Sequence, residues 1–301
     1  MLNELNRRFA IPGLAFAQGN GGLLRAIVNT PVSNSELVLQ GAHITSWVPV
    51  GQQPILWLSE KSNFEKGKPI RGGVPICFPW FGPNANDSSA PAHGSARLVE
   101  WQVVSTQLKE DGAIAIGLEM SIDPFVLRFD VAFGRVLKMT LRTELSMDAT
   151  SPQSFEDALH TYFAVSDIRS ISIAGLETTD YIDKVDQAIL KPASGMPIKF
   201  TGETDRVYVD TGADCLLIDD GMKRVIRVSK SGSVSTVVWN PWIDKSKRMA
   251  DFGDDEWPEM VCIETANVGS GRIELTPGES HSTTAIVSVE VQGTPIFETP
   301  R

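Results

Sequence analysis

The chain has 301 residues, a formal charge of -10 and three cysteines. That length suits one large β domain with an ample core, and the charge repels nucleic-acid backbones and anionic membrane surfaces at long range, so neither partner is expected. Cys77, Cys215 and Cys262 are odd in number and lack C-x-x-C spacing, which excludes a disulfide framework and a zinc knuckle and points to a reducing, cytoplasmic setting.

At the N-terminus, Arg7-Arg8 followed by Phe9-Ala-Ile-Pro-Gly-Leu-Ala-Phe-Ala17 imitates a secretory signal. Pro12 and Gly13 interrupt the apolar run and Glu4 sits where a signal is basic, so the segment is expected to be an opening edge strand. No later stretch reaches the roughly 18 consecutive apolar residues of a membrane span. Residues 59 to 97 are rich in glycine and proline with Phe78, Trp80 and Phe81 between them, and read as a long loop. A short strand is expected over Ala113 to Met120, after the turn-like Lys109-Glu-Asp-Gly112. Leu137, Met139, Leu141 and Leu145 are apolar while Lys138, Thr140, Arg142 and Glu144 are polar, the period of a half-buried antiparallel strand. Further short runs follow at Val225 to Val228, Val234 to Trp239 and Thr283 to Val291. Between the last two, Trp239-Asn-Pro-Trp242 leads into a second long loop ending near Glu256. Amphipathic helices are scarce, and no fixed repeat or linker is visible. The expectation is an all-β fold, a large antiparallel β-sandwich forming one domain over residues 1 to 301, with binding groups on its long loops.

Two titratable residues stand on strand-like segments. If Asp157 to Val165 is extended, Leu159, Thr161, Phe163 and Val165 share one face and His160 shares the other with Tyr162 and Ala164. The same count sets Val261 and Ile263 together and Cys262 and Glu264 opposite them. An imidazole and a carboxylate brought together in a cleft make a general acid/base pair. Spacing alone favours the alternative of a satisfied core histidine, with Glu264 paired to a nearby arginine. Asp157, three residues before His160, faces the other way on a regular strand.

The remaining candidates are cationic. Arg71-Gly72-Gly73 places a guanidinium beside flexible amides, either a compact anion site or a turn with a solvated arginine. His93 and Arg97 would lie about 13 Å apart on an extended backbone and address one ligand only if the loop shortens that distance. Lys245, Lys247 and Arg248 read as a solvated stretch balanced by Asp251, Asp254, Asp255 and Glu256. The four histidines show no metal-ligand spacing, so neither a metal nor another cofactor is expected.

Taken in order, the motifs Gly41-Ala-His-Ile-Thr-Ser-Trp47, Pro69-Ile-Arg-Gly-Gly-Val-Pro75, Phe78-Pro-Trp-Phe-Gly82, His93-Gly-x-Ala-Arg97, Ala158-Leu-His-Thr-Tyr-Phe163, Thr204-Asp-Arg-Val-Tyr208, Val238-Trp-Asn-Pro-Trp242, Ile263-Glu264 and Leu275-x-Pro-Gly278 are informative together. The chain resembles the glucose-6-phosphate 1-epimerases, or hexose-6-phosphate mutarotases, of the aldose 1-epimerase superfamily, almost end to end. The resemblance implies an antiparallel β supersandwich with His160 as catalytic acid and Glu264 as catalytic base. It implies that Arg71 and Arg97 hold a sugar phosphate, that Asp205 holds sugar hydroxyls and that His93 stands beside the ring. One departure is visible: some relatives carry glutamine before the His-Gly pair and a large apolar residue after it, where this chain has Ala92 and Ser95.

The implied reaction is interconversion of the α and β anomers of hexose 6-phosphates by a monomeric enzyme. A mutarotase of unphosphorylated aldoses is one alternative. A non-catalytic carbohydrate-binding protein, stacking sugars on Trp47, Trp80 or Trp242, is the other.

Overall fold

The computed structural model describes residues 1–291. Alternation decides its sheets. Along Leu137–Leu145 every second side chain from Leu137 is buried, and Lys138 and Arg142 face water. Phe125–Phe133 repeats the pattern. These strands are the centre of an eight-stranded sheet ordered Ser172–Ala174, Cys215–Asp219, Arg224–Ser231, Ser280–Val291, Leu137–Leu145, Phe125–Phe133, Ile114–Ile122 and Gln102–Leu108.

A second sheet is ordered Ile189–Lys191, Tyr181–Asp183, Thr204–Tyr208, Ser235–Asn240, Met260–Asn267, Asp157–Leu159 and Ile76–Cys77, with Tyr162–Ala164 also pairing Met260–Asn267. Paired strands in both sheets run antiparallel. Met260–Asn267 is buried along its whole length, so Glu264, Thr265 and Asn267 interrupt an otherwise apolar central strand. One apolar cluster takes Phe129, Leu141 and Val287 from the first sheet and Phe163, Val261 and Ile263 from the second. At roughly 1.5–3 kcal/mol per fully buried large apolar side chain, this shared interior is the main force joining the sheets.

Polar ties fix their relative position. Asp157 accepts hydrogen bonds from Asn267 Nδ2 (2.9 Å) and the Thr283 hydroxyl (2.6 Å), joining the second sheet to the strand Ser280–Val291. Arg224, only 2 % exposed, donates to the carbonyls of Ala164 (2.6 Å) and Pro54 (3.1 Å). A buried guanidinium thereby satisfies carbonyls that no strand partner reaches.

The N-terminus departs from its expected form. Leu2–Phe9 is an α-helix, with acidic Glu4 in its first turn and Arg7 and Arg8 in its last, which complements the helix dipole. Extended chain begins only at Leu14–Gln18, after the Pro12-Gly13 turn, and this strand is the edge of a four-stranded sheet ending in His43–Pro49.

Candidate active site

Register brings His160 and Glu264 together. Leu159 pairs with Thr265 and Tyr162 with Cys262, which sets His160 opposite Glu264 in the gap between two short strands. Residues opposed across antiparallel strands share a face. Asp205, Trp239, Cys262 and Tyr162 therefore form one row across the sheet, and Val207, Val237 and Glu264 form the next. The His160 amide donates to Pro75 O (3.0 Å), which anchors the break. Its Nε2 lies 3.4 Å from Glu264 Oε1, and its ring stacks on Tyr162 at 4.7 Å between centroids.

A cavity of about 370 Å³ opens over these rows. Arg71, His93, His160, Asp205 and Glu264 all line it. The loop over residues 78–97 folds back to deliver His93, whose ring meets Phe81 edge-on at 4.7 Å. Gly94 permits this fold: it has φ +72°, and a Cβ there would stand 1.9 Å from Phe78 O. Gly82 N–H donates to His93 Nδ1 (3.2 Å), leaving the ring proton on Nε2.

The expected arginines fare differently. Arg71 reaches the cavity wall with its fork already engaged: Nε and Nη2 donate to Asp251 at 3.1–3.3 Å and Nη1 to Tyr162 Oη at 2.9 Å. Its neighbouring amides are not an anion cradle, because Arg71 N–H donates to Ser62 Oγ (2.8 Å) and Gly73 N–H to Trp57 O (2.7 Å). Arg97 is not among the lining residues; its Nη2 donates to Ala92 O (2.6 Å) and its Nε is buried without a partner. At position 92 it is the backbone carbonyl that meets Arg97.

Burial governs the pair's charge. It holds His160 well below the usual histidine value, reinforced by His93 and Arg71. It also raises the Glu264 carboxyl well above its usual value, reinforced by the nearby Asp205. His93 is lowered to about 3, first by burial and then by Arg97 and Lys184. A core histidine would have both ring nitrogens satisfied, yet His160 Nδ1 and Glu264 Oε2 are buried and unpartnered, and Glu264 has His160 rather than an arginine beside it. One donor group among the described residues is tight enough to hold a cation: His160, Cys262 and Glu264 offer atoms within 4.8 Å of one another.

Comparison with known proteins identifies the family. The aldose 1-epimerase family profile matches residues 28–288. The chain belongs to the aldose 1-epimerase family. It is 36% identical over 244 residues to an Escherichia coli K12 protein provisionally named glucose-6-phosphate 1-epimerase, covering 80% of this chain and 82% of that one. A Cenchrus ciliaris protein with the same provisional name is 36% identical over 260 residues, covering 81% and 78%. The crystal structure of a provisionally named mutarotase from Salmonella typhimurium matches with TM-score 0.86 at 30% identity, covering 94% of this chain and 95% of that one. The mutarotase-like all-β architecture expected from the sequence is thus the observed one.

In this aldose 1-epimerase the cavity also holds residues that sequence reasoning passed over. Trp239 and Lys184 line it, the latter with its ammonium 4.6 Å from the Phe81 ring centroid. Lys245 lines it too and is not part of a self-balanced stretch: it pairs with Glu203 (2.8 Å), whereas Asp251 belongs to Arg71 and Asp254 to Lys61. The tryptophans proposed for stacking lie elsewhere. Trp47 is buried and donates to Gly134 O (3.0 Å), Trp80 donates to Pro91 O (3.1 Å), and Trp242 packs on Trp257 at 4.3 Å. Ser235–Asn240 is buried along its whole length and shows no alternation, so the motif Val238-Trp-Asn-Pro-Trp242 was the sequence signal that could have found Trp239. Lys184 follows a strand of three residues, too short to show a period.

Proposed function

We propose that the protein interconverts the α and β anomers of hexose 6-phosphates, chiefly glucose 6-phosphate. The observation that carries this reading is the His160–Glu264 pair, 3.4 Å apart on the wall of a cavity that also presents Arg71, His93 and Asp205. Anomer exchange needs one base at the C1 hydroxyl and one acid at the ring oxygen. Glu264 takes the C1 hydroxyl proton while His160 protonates the ring oxygen; the C1–O5 bond breaks and an aldehyde forms. Rotation about C1–C2 turns the other carbonyl face to O5, and closure returns both protons with the roles reversed.

Burial favours a pair carrying a single proton. The directions of the two shifts, His160 lowered and Glu264 raised, favour its place on the carboxyl beside a neutral imidazole. A bound C1 hydroxyl donating to Glu264 stabilises the carboxylate, and the shared proton then moves to His160 Nε2 to face the ring oxygen. Positioned proton transfer of this kind contributes about 10²- to 10⁴-fold, roughly 3–5 kcal/mol of barrier. His93, with its proton on Nε2, donates toward the ring, Asp205 holds hydroxyls, and Arg71 with Arg97 supplies the positive field for the phosphate. This reading includes a cytoplasmic monomer that works without metal, cofactor, nucleic acid or membrane. No helix among the described residues is long and apolar enough to cross a membrane.

The test is two-dimensional NMR exchange between the α and β anomeric protons of glucose 6-phosphate, glucose and galactose. Acceleration of the phosphorylated sugar, lost in His160→Ala, is the expected result; no acceleration of any sugar sinks the proposal. One observation favours a second reading, a mutarotase for unphosphorylated aldoses: the Arg71 fork is taken by Asp251 and Arg97 is off the wall. Faster exchange of free hexoses than of their phosphates would select it.

A further inference from the structure

The two rows that assemble the acid/base pair also assemble a metal-ligand set, one member of which, Cys262, the reaction does not use. Cys262 and Glu264 are two apart on one strand and share a face, and His160 stands opposite Glu264. One nitrogen, one sulfur and one carboxylate oxygen from these residues lie within 4.8 Å of one another. Around a tetrahedral zinc ion such donors sit about 3.4–3.6 Å apart, given Zn–N and Zn–O bonds near 2.1 Å and Zn–S near 2.3 Å. His160 Nε2 and Glu264 Oε1 already have that spacing, at 3.4 Å. The Cys262 sulfur starts no more than 4.8 Å from its partner atoms.

Two features favour an ion here over a chance cluster. Glu264 Oε2 and His160 Nδ1 are buried without hydrogen-bond partners, so the site is polar and incompletely satisfied. His160 and Glu264 line the cavity while Cys262 lies beneath it, so three protein ligands would leave a fourth position open to the cavity for water.

We infer that His160, Cys262 and Glu264 form a zinc-binding site whose occupancy reversibly inhibits the enzyme. The inference names a regulator of the site proposed above and rests on that reading for its effect on activity. Binding replaces the Cys262 thiol proton and the proton shared by His160 and Glu264 with Zn–S, Zn–N and Zn–O bonds, and releases those protons to water. It thereby removes the acid and the base together. Because protons leave, zinc affinity rises with pH.

The experiment is equilibrium dialysis of the chelator-treated full chain against Zn²⁺, beside NMR anomer exchange, for wild type, Cys262→Ser and His160→Ala. Expected is uptake of one ion per chain, with exchange falling in step with occupancy and returning on chelation. Cys262→Ser should keep its exchange rate and lose at least about 10- to 100-fold in zinc affinity, since losing only a hydrogen-bond partner of a metal ligand already costs that much. Co²⁺ in place of Zn²⁺ should give a thiolate charge-transfer absorption in wild type and none in Cys262→Ser. Should that variant fail to fold, His160→Ala carries the affinity comparison. Absence of stoichiometric uptake, or equal affinity in folded variants, overturns the inference. Dialysis reads zinc without catalysis, so a protein that binds zinc but exchanges no anomer would sink the catalytic reading and leave the site standing.

Discussion

His160 Nε2 and Glu264 Oε1 stand 3.4 Å apart because Leu159 and Tyr162 lock the two strands in register on either side of them. The contact is therefore made by the backbone ladder, and substitution of either side chain should leave the sheet intact. His160→Ala and Glu264→Gln are each expected to lower kcat for anomer exchange about 10²- to 10⁴-fold. Their thermal unfolding should stay close to wild type. Full activity in both variants would remove the pair from the mechanism.

The pH profile follows from the directions of the two shifts. The working pair carries one proton. With ordinary values, a Glu264 carboxylate beside a His160 imidazolium would exist only between the carboxyl value of 4.5 and the histidine value of 6.5. Here burial lowers His160 and raises Glu264, so the second proton binds His160 only below the ordinary histidine value and the single proton leaves Glu264 only above the ordinary carboxyl value. Exchange rate plotted against pH should place its acid limb below the ordinary histidine value and its alkaline limb above the ordinary carboxyl value. An acid limb centred at or above pH 6.5 contradicts these directions.

Arg71 is expected to separate phosphorylated from free sugars. Arg71→Gln removes the charge that faces the cavity, so KM for glucose 6-phosphate should rise about tenfold or more, the worth of a charge-assisted hydrogen bond. KM for any free hexose that reacts should change little. Arg71→Lys should rescue poorly, since an ammonium cannot hold Asp251 and Tyr162 Oη in one plane. Equal losses for both sugar classes would give Arg71 a structural role only.

Gly94 tests how His93 is delivered. With φ +72° and Phe78 O where a Cβ would go, Gly94→Ala must displace the loop backbone. Exchange activity should fall at least tenfold while circular dichroism stays that of the native β fold, because the displaced loop carries His93 rather than a sheet strand. Unchanged kinetics would mean that His93 is dispensable.

Arg224 carries a stability prediction away from the chemistry. Arg224→Leu leaves the carbonyls of Ala164 and Pro54 buried without donors. A loss of about 2–4 kcal/mol in urea unfolding is expected, with KM unchanged. Wild-type stability in the variant would show that water replaces the guanidinium.

Much of this protein was legible in its sequence. Alternation at Leu137 to Leu145 announced a half-buried antiparallel strand, since side-chain direction along a strand depends only on local geometry. The same count placed Cys262 with Glu264 and His160 with Tyr162, and set Asp157 on the other side, where it bonds Asn267 and Thr283. The helix Leu2–Phe9 was missed because the apolar run from Phe9 to Ala17 drew the N-terminus into a strand reading, and Lys245 because its nearest acids in sequence are not its partners in space.

Faces are local properties, and the sequence by itself determined them, along with the inventory of acids, bases and cations. Which faces meet is not local. Only the tertiary structure decided that Glu264 lies opposite His160, that Asp251 rather than a ligand fills the Arg71 fork, and that Lys184 reaches the cavity while Arg97 does not line it. Those outcomes depend on strand order and loop closure across separations of about a hundred residues or more, where many pairings satisfy the same local pattern and the packing of the whole core selects one.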